Sequence, residues 1–184
     1  VDSLCDRVAL GFRCNRTTLF AGYYAGLLGR GRVPLRSDLD LDRMRSILDS
    51  FVVLEVEGPG MVRFRLAGTR ERTRYGFEVT GLNYMDFVPE ARRSDAFSAF
   101  DRMVRTPCGM YALIRSRTGY GRGTFNEALG FPFRSDHSGR LHLVFQSNDI
   151  DFDESRVLEA DPLALHHTVE GRRYIDIGFG LPSF

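Results

Sequence analysis

Val52-Val53-Leu54-Glu55-Val56-Glu57-Gly58-Pro59-Gly60-Met61-Val62-Arg63-Phe64-Arg65-Leu66 decides how this chain is read. Val52, Leu54 and Val56 alternate with Glu55 and Glu57, and after Gly58-Pro59-Gly60 the residues Val62, Phe64 and Leu66 alternate with Arg63 and Arg65. Two runs of period two around a glycine-proline turn predict an antiparallel hairpin with one apolar and one charged face.

Toward the N-terminus, Ser37, Asp38 or Asp40 is placed to cap a short helix through Met44, Ile47 and Leu48, behind an extended stretch Arg32–Arg36. From Thr17 to Leu28 the apolar residues Leu19, Phe20, Tyr23, Tyr24, Leu27 and Leu28 recur at four-residue spacing, which predicts a helix with one wide apolar face. Asn15 or Thr17 can cap it, and Gly29 and Gly31 stop it. Its other side carries Ala21, Gly22, Ala25 and Gly26, small enough for another helix to approach closely. Such a helix packs on the domain or on a partner subunit.

Toward the C-terminus, residues 68–88 hold breakers without a steady period, and short helical turns are expected there. Pro89 suits the first turn of a helix running to about Arg105, with Ala96, Phe97, Phe100, Met103 and Val104 on one face and Thr106-Pro107 at its end. Three more strands follow: Gly109 to Arg117; a run with Phe125, Glu127, Leu129 and Phe131 on one side; and a run with Leu141, Leu143 and Phe145. Gly119-Tyr120-Gly121 and Asp136-His137-Ser138-Gly139 turn the chain between them. The order is helix, two strands, short helices, a longer helix, three strands. This is an α+β layout: five antiparallel strands with helices inserted after the second. Beyond Asp151 an acidic linker leads to Leu163–Val169 and Arg172–Ile177, with Gly171 suggesting a small terminal hairpin that could cover a sheet edge. The organisation read from this is an N-terminal helical extension (1–30), a domain (31–150) and a C-terminal extension (151–184).

The 184 residues suit one domain, and 43% hydrophobic with 27% charged residues is ordinary globular composition. With 15 Phe, 7 Tyr and no Trp, the core is aromatic. The net charge is +1 and every basic residue is Arg, a balance that argues against a dedicated nucleic-acid surface. Cys5, Cys14 and Cys108 are odd in number and lack metal spacing. The start has acids and no apolar run of signal-peptide length, and no segment approaches the ~18 apolar residues of a membrane span. A cytoplasmic location is expected.

Four stretches carry a resemblance. Gly31-Arg32-Val33-Pro34-Leu35-Arg36-Ser37-Asp38-Leu39-Asp40, Arg63-Phe64-Arg65-Leu66-Ala67-Gly68-Thr69, Tyr75-Gly76-Phe77-Glu78-Val79-Thr80-Gly81 and Glu127-Ala128-Leu129-Gly130-Phe131-Pro132 together resemble an alphaproteobacterial PAS-like family of small free-standing proteins. The resemblance covers about Tyr23 to Ile150. Leu41 stands where the family usually has Pro, and Tyr23 or Tyr24 replaces its early Trp. The resemblance implies a PAS-like sheet and signalling through protein contacts.

Among residues that could carry chemistry, Glu127 is the most unusual, an acid on an apolar strand face. A buried carboxylate is costly unless paired, and Arg63 or Arg65 is the expected partner. It is either half of a structural pair or a polar handle in a pocket. That pocket would lie between the long helix (Phe97, Phe100, Val104) and the sheet (Phe64, Leu66, Met110, Leu113, Phe125, Leu129), unless the same residues form a filled core. His137, His142 and the adjacent His166-His167 supply no metal set. No His falls on the long helix for haem, and Cys108 comes too late for a flavin adduct, so no cofactor is expected. Gly119-Tyr120-Gly121-Arg122-Gly123 lacks the ending of a phosphate loop.

Three functions compete. The first is a cytoplasmic signalling module that binds a small apolar ligand or an unknown signalling protein and forms a homodimer through Leu19, Phe20, Tyr23, Tyr24 and Leu27. The second is a small isomerase or hydrolase with Glu127 as base, and the third is a ligand-free adaptor.

Overall fold

The computed structural model describes residues 11–28, 31–117, 123–153 and 167–183. Six antiparallel strands form one sheet: β1 Phe51–Gly58, β2 Met61–Ala67, β3 Gly109–Arg117, β4 Gly123–Arg134, β5 Leu141–Asp153 and β6 His167–Ile175, in the order β2-β1-β5-β4-β3-β6. The β1–β2 hairpin turns at Pro59-Gly60, where Gly60 takes a φ of 72° that a side chain would resist. Between β2 and β3 the chain leaves the sheet through the helix α3 (Thr69–Tyr75), single turns at Tyr84–Phe87 and Glu90–Arg92, and the helix α4 (Arg93–Arg105). Gly76 ends α3 in the left-handed conformation, at φ 82°.

The sixth strand comes from the C-terminal stretch expected to be a hairpin. His167–Ile175 is instead one strand, paired along β3 from Gly109↔Ile175 to Ser116↔His167. Gly171 is not a turn. It sits at a bulge, where Leu113 faces Gly171 and Ile114 faces Val169. The strand closes the β3 edge of the sheet. The Gly29 stop, the Gly119–Gly121 turn, Cys5, Leu163, His166 and the linker after Asp153 lie outside the described residues.

Both faces of the sheet are covered, because the central strands β1, β5, β4 and β3 carry apolar residues on both sides. One face carries Val52, Leu54, Val62, Phe64, Met110, Ala128, Leu143 and Phe145 against α3, α4 and the single turns. The other carries Phe51, Val53, Tyr111, Leu129, Phe131, Phe133 and Val144 against the N-terminal helix α1 (Asn15–Leu28). Tyr24 stacks on Phe131 at 4.0 Å between ring centroids, and Phe20 meets Phe51 and Phe131 edge-on or tilted. Tyr24 also donates its hydroxyl hydrogen to the Pro132 carbonyl at 2.9 Å. Phe20 and Tyr24, expected at a homodimer interface, are fully buried within their own chain. Tyr23 is half-buried; its hydroxyl donates to the Asp38 carbonyl and accepts from the Asp40 amide. Leu19 is exposed and Leu27 half-buried. The helix thus seats its aromatic face on the sheet and turns Leu19, Gly22 and Gly26 outward.

A helix of 14 residues leaves its first amides unpaired. α1 has no acidic residue in its first turn to meet them. Glu127 on β4 brings one from across the fold to the residues leading into the helix and to its first turn: its Oε1 accepts from the Arg13 amide at 2.8 Å, and its Oε2 accepts from the Cys14 amide at 3.0 Å and the Thr17 hydroxyl at 2.6 Å. The Tyr111 hydroxyl adds a fourth bond to Oε1 at 3.0 Å. A carboxylate at a helix N-terminus is also favoured by the helix dipole. Asp40 caps the short helix α2 (Leu41–Met44) in the ordinary local way, accepting from Asp42 and Arg43 amides.

Candidate functional site

The face of the sheet under α4 does not close. Ala112 on β3 and Ala128 on β4 are directly opposed, Arg172 of β6 pairs with Ala112, and Ser147 of β5 pairs with Ala128. The small side chains of Ala112, Ala128 and Ser147 cannot reach the helix above them. The space left is a cavity of about 90 Å³. That exceeds the ~10–15 Å³ one water requires, with room for on the order of six to nine groups of that size.

Its walls are mostly apolar: Leu54, Phe64, Phe100, Met110, Ile114 and Phe145 among them. Polar groups enter from three sides. On α3, Arg74 donates to both oxygens of Glu71 at 2.5 and 2.6 Å, to Ser147 Oγ at 3.1 Å, and through Nη2 meets Asp149 at 3.0 Å. Burial pushes the Glu71 carboxyl upward against the opposing pull of Arg74. At the strand ends, Tyr75 Oη lies 2.6 Å from His167 Nε2, Ser116 Oγ lies 2.8 Å from His167 Nδ1, and Asn126 Nδ2 donates to Ser116 Oγ at 2.8 Å. Tyr84 stacks over the His167 ring. Burial holds the Tyr75 phenol well above its ordinary value and pushes Tyr84 up to about 12, so both stay neutral donors at physiological pH. The third side is the mouth, where Arg92, Asp95, Val169 and Arg172 line both the cavity and a polar groove between α4 and the β6 bulge.

Of the residues expected to form a pocket, Phe64, Phe100 and Met110 line this cavity. Phe97 and Val104 are half-buried against the surrounding core without facing the space. The others lie elsewhere, each for a reason of strand phase. Leu113 and Leu129 point to the α1 face, because Met110 and Leu113 differ by an odd number of positions. Phe125 is on that same side, beneath the Arg13 guanidinium at 5.7 Å. Leu66 is 45% exposed, because β2 bulges between the Leu54↔Phe64 and Val53↔Leu66 pairs and reverses its alternation.

The expected pairing of Glu127 with Arg63 or Arg65 is also corrected. β2 is separated from β4 by β1 and β5. Arg63 grips Glu57 at 2.7 Å, and Arg65 bridges Glu55 and Glu57 at 2.6 and 2.8 Å. Glu127 is fully buried with α1 and away from the cavity. A catalytic base in an aromatic cavity is therefore not what this carboxylate is. His142 lies near Glu55 at 3.6 Å, not near Glu127, and Cys108 is buried in packed core off the cavity, its thiol pushed up to about 12 by burial. Among the described residues no three His, Cys, Asp or Glu gather as a metal site, and no helix is long and apolar enough to cross a membrane.

Asn126, Ser116, His167, Tyr75, Arg74 and Arg172 went unrecognised in the sequence. A signal existed: Ala112, Ser116, Ala128 and Ser147 are small residues at alternate positions of three strands, and small side chains beneath an aromatic helix leave volume.

A family model described as PAS domain matches residues 13–144. No curated protein matches the sequence. Among solved structures, the chain is similar to an RNA-binding Light-Oxygen-Voltage receptor (20% identity, 65% of this chain and 36% of that one, TM-score 0.46). It is similar also to the PAS domain of a Colwellia psychrerythraea protein (14%, 60% and 96%, TM-score 0.44) and to a fungal LOV domain photoreceptor (19%, 67% and 87%, TM-score 0.45). This chain spans about a third of the receptor's length.

Proposed function

Because this chain belongs to the PAS domain family, whose members are generally sensory and not catalytic, we propose that it is a cytoplasmic sensory module. In this reading it holds a small molecule in the cavity under α4 and reports occupancy through α1 to a protein partner. Fold alone does not dictate function. The observation that carries the reading is the open space itself, walled by apolar side chains yet reached by the buried groups of Asn126, Ser147 and Arg74. Pockets for small molecules have this make-up.

The route outward is short. Asn126 and Ala128 face the cavity, and Glu127 between them holds the start of α1. A ligand that shifts β4 by a fraction of an ångström alters the carboxylate's four bonds, and α1 is the element able to respond. We assign self-association to the outward strip Leu19, Gly22 and Gly26 of α1, since its aromatic face is used on the sheet.

Native mass spectrometry of the purified protein, beside an Ala128→Phe variant that fills the cavity, tests the ligand part. A retained small molecule lost in the variant supports sensing, whereas a molecule retained equally by both overturns the site. Sedimentation of Leu19→Arg tests the self-association, and an undisturbed dimer would defeat it.

A further inference from the structure

Three buried polar atoms on the cavity lining lack a hydrogen-bond partner; Arg74 Nη2 has the Asp149 carboxylate beside it at 3.0 Å, which leaves two of opposite kind. Arg172 Nε is buried without a hydrogen-bond partner, and no described carboxylate pairs with this guanidinium. Asn126 Oδ1 is buried without a partner on a residue only 2% exposed, its Nδ2 already used on Ser116. Both residues line the cavity. A buried donor or acceptor left unpaired costs about 1–3 kcal/mol, more when charged, so such atoms are rare unless something external meets them. One demands an acceptor, the other a donor.

Their placement sets the shape of what would satisfy them. Arg172 is on β6 and Asn126 on β4, two strand spacings apart, or roughly 10 Å between backbones. The floor between them is Ala112 and Ala128, flat and apolar. Arg172 stands at the mouth with Arg92, and the adjoining groove is lined by Arg102, Asp95 and Glu170. Glu170 is held by Arg115 at 3.1 Å, which leaves the mouth weighted toward positive charge. A guanidinium presents its donors in a plane that matches a carboxylate.

We propose, building on the sensory reading of this cavity, that its ligand is a compact organic acid with a flat apolar body. The carboxylate sits on Arg172 at the mouth, and a hydroxyl or amine at the far end donates to Asn126 Oδ1. With room for roughly six to nine water-sized groups, the cavity takes the flat body and the far substituent while the carboxylate stands at the mouth. Hydroxybenzoates have this size and polarity; a second anionic group would find no free partner, because Arg74, the other buried guanidinium of the lining, is taken by Glu71 and Asp149.

The test uses the full chain and four probes, 4-hydroxybenzoate, benzoate, 4-hydroxybenzamide and phenol, with affinities from calorimetry. The expected order places 4-hydroxybenzoate first, at least tenfold tighter than 4-hydroxybenzamide and several-fold tighter than benzoate. Arg172→Met abolishes the preference for acid over amide while phenol binding persists, and Arg172→Lys keeps part of it. Asn126→Ala erases the preference for the hydroxylated acid. Phenol or the amide binding as well as the acids overturns the inference and leaves the cavity reading standing. No binding by any probe, with an empty protein in native mass spectrometry, overturns both. Near-ultraviolet circular dichroism of each variant separates lost binding from lost folding.

Discussion

Asn126 and Glu127 are consecutive residues of β4, yet Asn126 looks into the cavity under α4 while Glu127 grips the two amides leading into α1, those of Arg13 and Cys14, on the opposite face. Strand geometry makes this unavoidable, since neighbouring side chains point to opposite sides. A residue of the cavity lining and a residue that holds the start of α1 are thereby joined by one peptide bond.

The Glu127 clasp should be a principal source of stability for α1. Glu127→Ala leaves two backbone amides and two hydroxyls without their acceptor, and is expected to cost about 3 kcal/mol in urea unfolding. Thr17→Val removes the bond to Glu127 and the one that the hydroxyl accepts from Asn148 Nδ2 at 3.1 Å, and should cost about 2 kcal/mol. Hydrogen exchange should localise the loosening to residues 15–28 in both variants. Uniform exchange across the sheet would contradict the assignment.

Enlarging the cavity floor distinguishes open space from packed core. Ala112 is only 2% exposed, so Leu at this position in a filled core would cost about 1–3 kcal/mol in strain. Over an open cavity the same Ala112→Leu change is expected to alter unfolding free energy by less than about 0.5 kcal/mol. Denaturant titration reads the difference directly.

Gly130 shows the opposite situation on the neighbouring strand β4. A Cβ there would stand 2.2 Å from the Phe145 ring, which itself packs against Phe100 at 5.8 Å between centroids. Gly130→Ala should therefore destabilise by about 2 kcal/mol. Combining it with Phe145→Leu should recover part of that loss, so that the two changes together cost less than their sum.

His142 should make stability depend on pH. Burial depresses its imidazole below the ordinary 6.5; Glu55 pulls the other way, and Arg36, Arg65 and Arg140 reinforce the depression. A depressed folded value means that the unfolded chain takes up the proton first. The contribution is present above 6.5 and is lost as pH falls through the folded value. Between about pH 7.5 and about pH 5 the wild type should lose more stability than His142→Gln, measured as the shift in urea midpoint. Equal losses would remove His142 as the cause.

Periodicity alone made the hairpin of β1 and β2, the α4 helix after Pro89, the strands β3 to β5 and the aromatic face of α1 legible. It also marked Glu127 as a buried acid in need of partners. Local chemistry supports such readings because alternation, capping and turn residues act between near neighbours. The partners themselves were not legible. Arg63 and Arg65 are near Glu127 in no structural sense, because β1 and β5 intervene, while Arg13, Cys14 and Thr17 reach it from more than 100 positions away along the chain.

What the chain determined by itself is which side chains share a face: Phe125, Glu127, Leu129 and Phe131 do stand together. Which of two buried faces would hold α1 and which the cavity was decided only by the tertiary arrangement. Both faces are apolar, and a period of two has no sense of direction. Strand order and the irregularities of register in β2, at Phe125/Asn126 and at Gly171 chose between them, and these arise from pairing between distant segments.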